Sequence, residues 1–152
     1  MTWHPHITVA AIIERENRFL MVEEICKGEM VINQPAGHLE QNESLVEAVI
    51  RETLEETAWH INPTGIIGVY QWTSKNGRQT YIRVSFSGDC LQHEPDRKLS
   101  QGINRALWLT RDELEQQAHR LRSPMVMRCV DDYLSGTHYP LHIFHHISGN
   151  RR

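Results

Sequence analysis

Three glutamates, Glu52, Glu55 and Glu56, fall at positions i, i+3 and i+4. On a helix that spacing sets them along one edge. Carboxylates gathered this way repel one another, and no stability argument asks for them. A divalent cation removes the repulsion. Mg²⁺ prefers oxygen ligands in an octahedron and keeps several waters, which leaves positions for substrate phosphates. The chemistry this favours is attack of an activated water on phosphorus. Arg51 stands four residues before Glu55, a spacing that permits an ion pair orienting that carboxylate. Acidic runs on helices are usually solvated faces. Here the glutamates belong to a longer pattern: Gly37, Glu43, Arg51, Glu52, Glu55 and Glu56. Chance is a poor account of six fixed positions.

The elements that must carry this pattern are readable around it. Ser44 and Glu47 form a capping-box pair, and Val46, Val49, Ile50 and Thr53 make one apolar stripe. Together they predict a helix over 44–56 with its glutamates at the margin of the buried face. Pro63 follows and cannot continue a helix. Upstream, the β-rich runs 7–14 and 18–25 flank Arg15-Glu16-Asn17 and predict a hairpin, and 28–35 reads as a strand entering a loop. Downstream, strands over 66–73 and 79–87 meet at Asn76-Gly77, a strong hairpin turn. A loop is expected over 88–104, then a strand at 106–109. Thr110 to Glu113 opens a short second helix, and Ser123-Pro124 starts a third that stops at Gly136. Hairpins mixed with helices, without strict βαβ alternation, suggest a mixed sheet held between helices.

Length and composition narrow the function classes. The chain has 152 residues, 39% of them hydrophobic and 23% charged, which suits one globular domain. That domain is expected over 1–145, with a polar tail over 146–152. The formal net charge of -3 disfavours binding to duplex nucleic acid, whereas a bound metal would still admit a small anion. Cys26, Cys90 and Cys129 are scattered and odd in number, so neither a disulfide framework nor a zinc site is expected. The apolar run 7–13 is too short to span a bilayer and lacks the flanks of a signal peptide. A cytoplasmic protein without a membrane partner is the expectation, with monomer and homodimer both open. His138, His142, His145 and His146 crowd the C-terminal region, where a mobile polar tail is preferred over a metal site.

The six-position pattern resembles the signature of the Nudix hydrolase family. Thr53 stands where the family has an apolar residue, and Ala58 replaces the usual glycine, which alters the helix exit but removes no ligand. The resemblance implies an α/β/α sandwich with a mixed sheet and a loop-helix-loop catalytic box. It implies Mg²⁺, with Mn²⁺ as a substitute, held by Glu52, Glu55, Glu56 and the backbone carbonyl of Ala36. Gly37, Glu43 and Arg51 would support the box, and either Glu52 or Glu55 would serve as catalytic base. Many of these enzymes place a further acid on a later loop. Here 99–104 contains none, and Glu94 and Asp96 are the nearest candidates.

Further segments, Asn33 to Glu40, Gln71-Trp72, Leu121-Arg122-Ser123-Pro124 and Tyr139-Pro140-Leu141, are similar to the NudJ-type phosphatase subgroup. That similarity implies release of orthophosphate from nucleoside di- and triphosphates, or from the small pyrophosphate of hydroxymethylpyrimidine. ADP-ribose or RNA 5′-end hydrolysis is the enzymatic alternative. A silent nucleotide-sensing regulator is the alternative of another class, and the intact glutamates argue against it. Three further residues are candidates for substrate binding. His38 lies in the box loop. Trp72 is placed to stack on a base or to fill the core. Arg83, in mid-strand, suits a phosphate, a buried partner or an outward face. Glu23-Glu24 would either extend the acidic region or sit solvated at a strand end.

Overall fold

The computed structural model describes residues 2–149. Strand β1 (His6–Ile12) carries the run Val9 to Ile12, buried on both faces, as suits a strand between covered layers. It pairs in parallel with β7 (Thr80–His93) and antiparallel with the short β5 (Ala36–His38). β6 (Trp59–Thr73) and β9 (Tyr139–Pro140) complete a mixed sheet in the order β5-β1-β7-β6-β9. A second, antiparallel sheet sets β3 (Arg18–Cys26) between β4 (Glu29–Asn33) and β8 (Ile103–Leu109), with β2 (Glu14–Arg15) pairing the start of β3. The β3–β8 register slips between Glu23 and Glu24, a bulge.

The hairpin expected from the first two runs forms only at its tip. Glu16 and Asn17 take positive φ of 51° and 64°, the two-residue turn whose twist matches the flanking strands. The rest of β1 leaves for the mixed sheet, beside β5 and β7.

Helices close both sides. α1 (Leu45–Thr57) buries Ala48 and Val49, with Val46 and Ile50 alongside, on Val9, Ala11, Val84 and Phe86. Burying each such side chain is worth about 1.5–3 kcal/mol. On the other side α2 (Arg111–Gln116) and α3 (Pro124–Leu134) bring Leu114, Val126, Cys129 and Val130 onto Ile12, Phe19, Met21 and Ile67. β3 serves both clusters, Leu20 on the α1 side and Phe19 and Met21 on the α3 side.

Two sequence departures find their reasons here. Thr53 is fully buried in the α1 stripe because its Oγ1 donates to the Val49 carbonyl at 2.7 Å, so its hydroxyl is not stranded. Ala58 caps α1 with φ 63°, and its N–H reaches the Leu54 carbonyl at 2.9 Å. This is the left-handed exit that favours glycine.

The long β6–β7 ribbon corrects two expectations. The loop expected over 88–104 is strand as far as His93, and β6 begins directly after the helix at Trp59. The alternation that marks a strand is carried there by Ile61, Pro63 and Gly65, and two of these are ordinarily strand breakers. Pro63 is accommodated where the β6–β7 register slips. Leu141 and Phe144, just before the tail expected over 146–152, pack against the α1 cluster. Residues 150–152 of that tail lie outside the described residues. Among the described residues no helix is long and apolar enough to cross a membrane.

Ala58→Gly should relieve the left-handed strain. Thermal unfolding should show a gain of about 1 kcal/mol, or about 2–4 °C in Tm. An unchanged or lower Tm would mean that the alanine methyl contributes more in packing than the strain costs.

Candidate active site

The glutamate edge of α1 is brought against β5 and the loop that follows it. Ser44 starts the helix with both halves of the capping box, its Oγ accepting the Glu47 N–H at 3.0 Å. The apolar stripe then fixes the rotation of the helix, and Glu52 and Glu56 turn toward Ala36 and Gly37. Glu56 Oε1 accepts the Ala36 N–H at 2.9 Å. A Cβ at residue 37 would overlap the Glu52 carboxyl, so glycine is what lets backbone and carboxylate meet.

The charges there are held at a cost. Burial pushes the Glu56 carboxyl up to about 8, with Glu24 and Glu52 adding to the rise and the Ala36 amide opposing it. Burial also raises Glu52, against the pull of the Arg51 guanidinium. Glu55 is the most open of the three, its side chain 38% exposed.

Arg51 organises the loop before the helix. It grips Glu43 with two nitrogens, at 2.7 and 3.0 Å, and donates to the His38 carbonyl at 3.0 Å. A third nitrogen meets Glu52 at 2.8 Å and Glu55 at 3.3 Å. The ion pair expected with Glu55 is therefore formed, but it is the longest of these contacts, and Glu43 is the principal partner. Glu43 lies before the helix, where no helical spacing reveals the pairing. Its carboxyl, held low chiefly by Arg51, also accepts the Glu40 N–H at 2.8 Å.

Among the described residues no three His, Cys, Asp or Glu side chains form a ready-made metal cage. The reason is visible: Arg51 draws Glu52 and Glu55 to one side while Glu56 turns to the Ala36 amide. The donor set still fits a hard divalent cation, being oxygen only, with Glu52 and Glu56 raised by burial in a way that a bound cation would offset. Ala36 meets Glu56 through its N–H.

The other candidates separate. Trp72 is half-buried and outside the core, tilted against Tyr81 with ring centroids 5.8 Å apart. Tyr81 stacks on His6 at 4.7 Å, and His6 Nδ1 lies 3.0 Å from His38 Nε2. Trp72, Tyr81, His6 and His38 thus form a continuous row ending at the box loop. Direct cross-strand pairing of His6 and Trp72 with Tyr81 puts these on one face of the sheet. Arg83 is buried and donates to Gln34 at 2.8 Å and to Asn33 at 3.0 Å. It meets the strand leading into the box, which gives it a buried partner, one of the three outcomes open to it from the sequence.

Glu23 and Glu24 are neither solvated nor alike. Glu23 accepts from Asn104 at 2.6 Å, Arg120 at 2.7 Å and Arg105 at 3.3 Å, and these bonds hold its carboxyl low. Glu24 meets Arg122 at 2.6 Å and Asn33 at 3.3 Å, and its charge reaches Glu56. Strand alternation predicts opposite faces for the two, but the sequence has no signal for the partners Asn104, Arg105, Arg120 and Arg122, 81 to 98 residues away. Glu94 is committed to His60 at 2.7 Å and to Arg97 at 3.5 Å. Asp96 is exposed.

A mixed sheet between helices, with a capped loop-helix box presenting buried glutamates, defines a hydrolase domain of the Nudix class. The NUDIX domain model matches residues 4–129, and the chain belongs to that family, whose hydrolases generally use divalent metals. It is 39% identical over 137 residues to Phosphatase NudJ of Escherichia coli strain K12, covering 90% of this chain and 88% of that protein. Among solved structures, a NUDIX hydrolase from Nitrosomonas europaea superposes with a TM-score of 0.94 at 44% identity, covering 97% of this chain and all of that one. An ADP-ribose pyrophosphatase from Streptococcus suis 89-1591 matches at TM-score 0.66 and 16% identity, over 90% of this chain and 96% of that one, which shows the fold alone.

The raised Glu56 pKa has a consequence for stability. A carboxyl raised on folding contributes fully below its unfolded value of about 4.5 and loses that contribution as pH rises through about 8. Without metal, Tm should therefore decline across that window, and Glu56→Gln should flatten the decline. Melting curves from pH 4.5 to 8.5 check this. An equal slope in both proteins would show that Glu56 is not the group responsible.

Proposed function

We propose that the protein is a Mg²⁺-dependent phosphohydrolase. It cleaves a phosphoanhydride bond in nucleoside di- and triphosphates, or in a related pyrophosphate such as hydroxymethylpyrimidine pyrophosphate, and releases orthophosphate. The observation that carries this reading is the placement of Glu52 and Glu56 against the Ala36-Gly37 backbone, where burial raises the carboxyls of both. The 39% identity to a protein named as a phosphatase favours orthophosphate as the product.

Glu52, Glu56 and Glu55, with the Ala36 carbonyl, would hold the metal, Mn²⁺ serving as a substitute. When bound, the ion supplies charge to the phosphate oxygens and lowers the pKa of water. Glu55, the most open of the three glutamates, takes the proton of the attacking water, with Glu52 the alternative acceptor. Arg51, gripped by Glu43, steadies Glu52 and Glu55 and fixes the loop that bears Gly37. Asn33 and Gln34, anchored by buried Arg83, set the approach of the same loop from the other side.

With chelator present, turnover should vanish, and Mg²⁺ should restore it. A panel of nucleotides and pyrophosphates, scored separately for orthophosphate and pyrophosphate, tests the product. Pyrophosphate alone, or cleavage of ADP-ribose alone, would overturn the phosphatase reading.

The roles on α1 divide in a measurable way. Glu56→Gln should fold and lose about 10²–10³ in kcat, because a preorganised electrostatic contributor has gone. Glu43→Gln should keep more activity and lose more Tm, since it loosens the grip of Arg51. Near-normal turnover in Glu56→Gln beside a folded but dead Glu43→Gln would reverse these assignments.

A further inference from the structure

Beside the carboxylates lies a cleft of about 640 Å³, within the size range of small-molecule sites. The β3–β4 turn brings Lys27 to its rim, and the β6–β7 turn brings Lys75. Trp72 and Met127 give it apolar wall, and Arg122 lines it from the segment before α3. No carboxylate is among the lining residues, although the chain carries a net charge of -3. Neither lysine forms an ion pair among the described residues.

The cations are placed by ordered structure. Ser74 Oγ donates to Asn76 Oδ1 at 2.7 Å, and the Gly77 N–H returns to the Ser74 carbonyl at 2.8 Å, which fixes the turn bearing Lys75. Arg122 is anchored by its own N–H, which donates to the Ile32 carbonyl at 2.9 Å. Its guanidinium rests on Glu24 at 2.6 Å, and the residue also lines the cleft. Arg122 interacts electrostatically with Glu56 and with Tyr81.

We infer that this cleft is the recognition site for the part of the substrate retained after cleavage, a phosphate ester of a planar heteroaromatic ring. Trp72 stacks on the ring, Arg122 holds the phosphate next to it, and Lys27 and Lys75 draw the anion in. The inference rests on the reading of the α1 glutamates as the hydrolytic centre, because it is they that set the direction of the phosphate chain. An aromatic face accepts any base, so the site selects for a ring bearing phosphate rather than for one nucleobase. Arg122 can exchange Glu24 for phosphate without leaving an unpaired charge on itself, since either anion matches its fork.

The test measures binding apart from turnover. Adenosine, cytidine and hydroxymethylpyrimidine monophosphates are titrated calorimetrically into metal-free protein. The wild type should bind at least one of them. Arg122→Gln and Trp72→Ala should each weaken it by about 10- to 100-fold, the range for a lost charge-assisted hydrogen bond or stacked base. Arg122→Lys should recover only part. In the presence of Mg²⁺ the same variants should raise KM for ATP by a similar factor and change kcat much less. Inorganic tripolyphosphate, which lacks a ring, should respond to Arg122→Gln but not to Trp72→Ala. Lys27→Gln with Lys75→Gln, both on exposed turns where folding is not at risk, should raise KM and flatten its salt dependence.

If none of the monophosphates binds, or the Arg122 and Trp72 variants bind them as the wild type does, the inference is overturned, whatever the rate of hydrolysis. If binding behaves as described and wild-type protein hydrolyses nothing, the recognition site stands and the proposed reaction falls.

Discussion

Glu56 is buried where a carboxylate is costly, within electrostatic reach of Glu52 and Glu24, and the surrounding architecture holds it in place. The price of that placement is met by parts that otherwise look unrelated. The apolar stripe of α1 sets the helix rotation, the capping box sets its start, and glycine at 37 allows the backbone to close on Glu52. Arg51 supplies a positive charge inside the carboxylate group and ties it to the preceding loop through Glu43 and His38. Remove the helix anchor and the glutamates would turn outward, where water would solvate them and a cation would bind them weakly.

Much of this was legible because it is local. The helix, its cap and its stripe repeat at spacings that a helix imposes, and the box pattern adds fixed positions on top. The same locality explains what was hidden. Glu43 grips Arg51 from outside the helix, so helical spacing pointed to Glu55 instead. The extent of β6 and β7 was masked because Pro63 and Gly65 occupy buried strand positions and Leu91 is exposed. Arg83 gave no sign of its direction, since strand period tells which residues share a face but not which face is covered.

Long-range pairing was the least legible layer. β1 leaves its sequence neighbour to lie parallel to β7, 75 residues on, and this splits an apparent hairpin between two sheets. That split makes the cleft. It lets the β3–β4 turn rise on one rim and the β6–β7 turn on the other, with the segment before α3 between them.

One strand joins the two halves of this arrangement. In β3, adjacent glutamates do different work: Glu23 fastens Asn104, Arg105 and Arg120, and Glu24 bears on Arg122 and Glu56. The bulge beside them keeps the two apart in register. Because strand parity alone distinguishes them, a single-residue insertion or deletion upstream in β3 would exchange their faces. The clamp would then meet the cleft and the cleft acid the clamp. Length in this strand is accordingly under tighter constraint than composition, and variation in the chain's length should collect in the turns at its ends, where parity is reset.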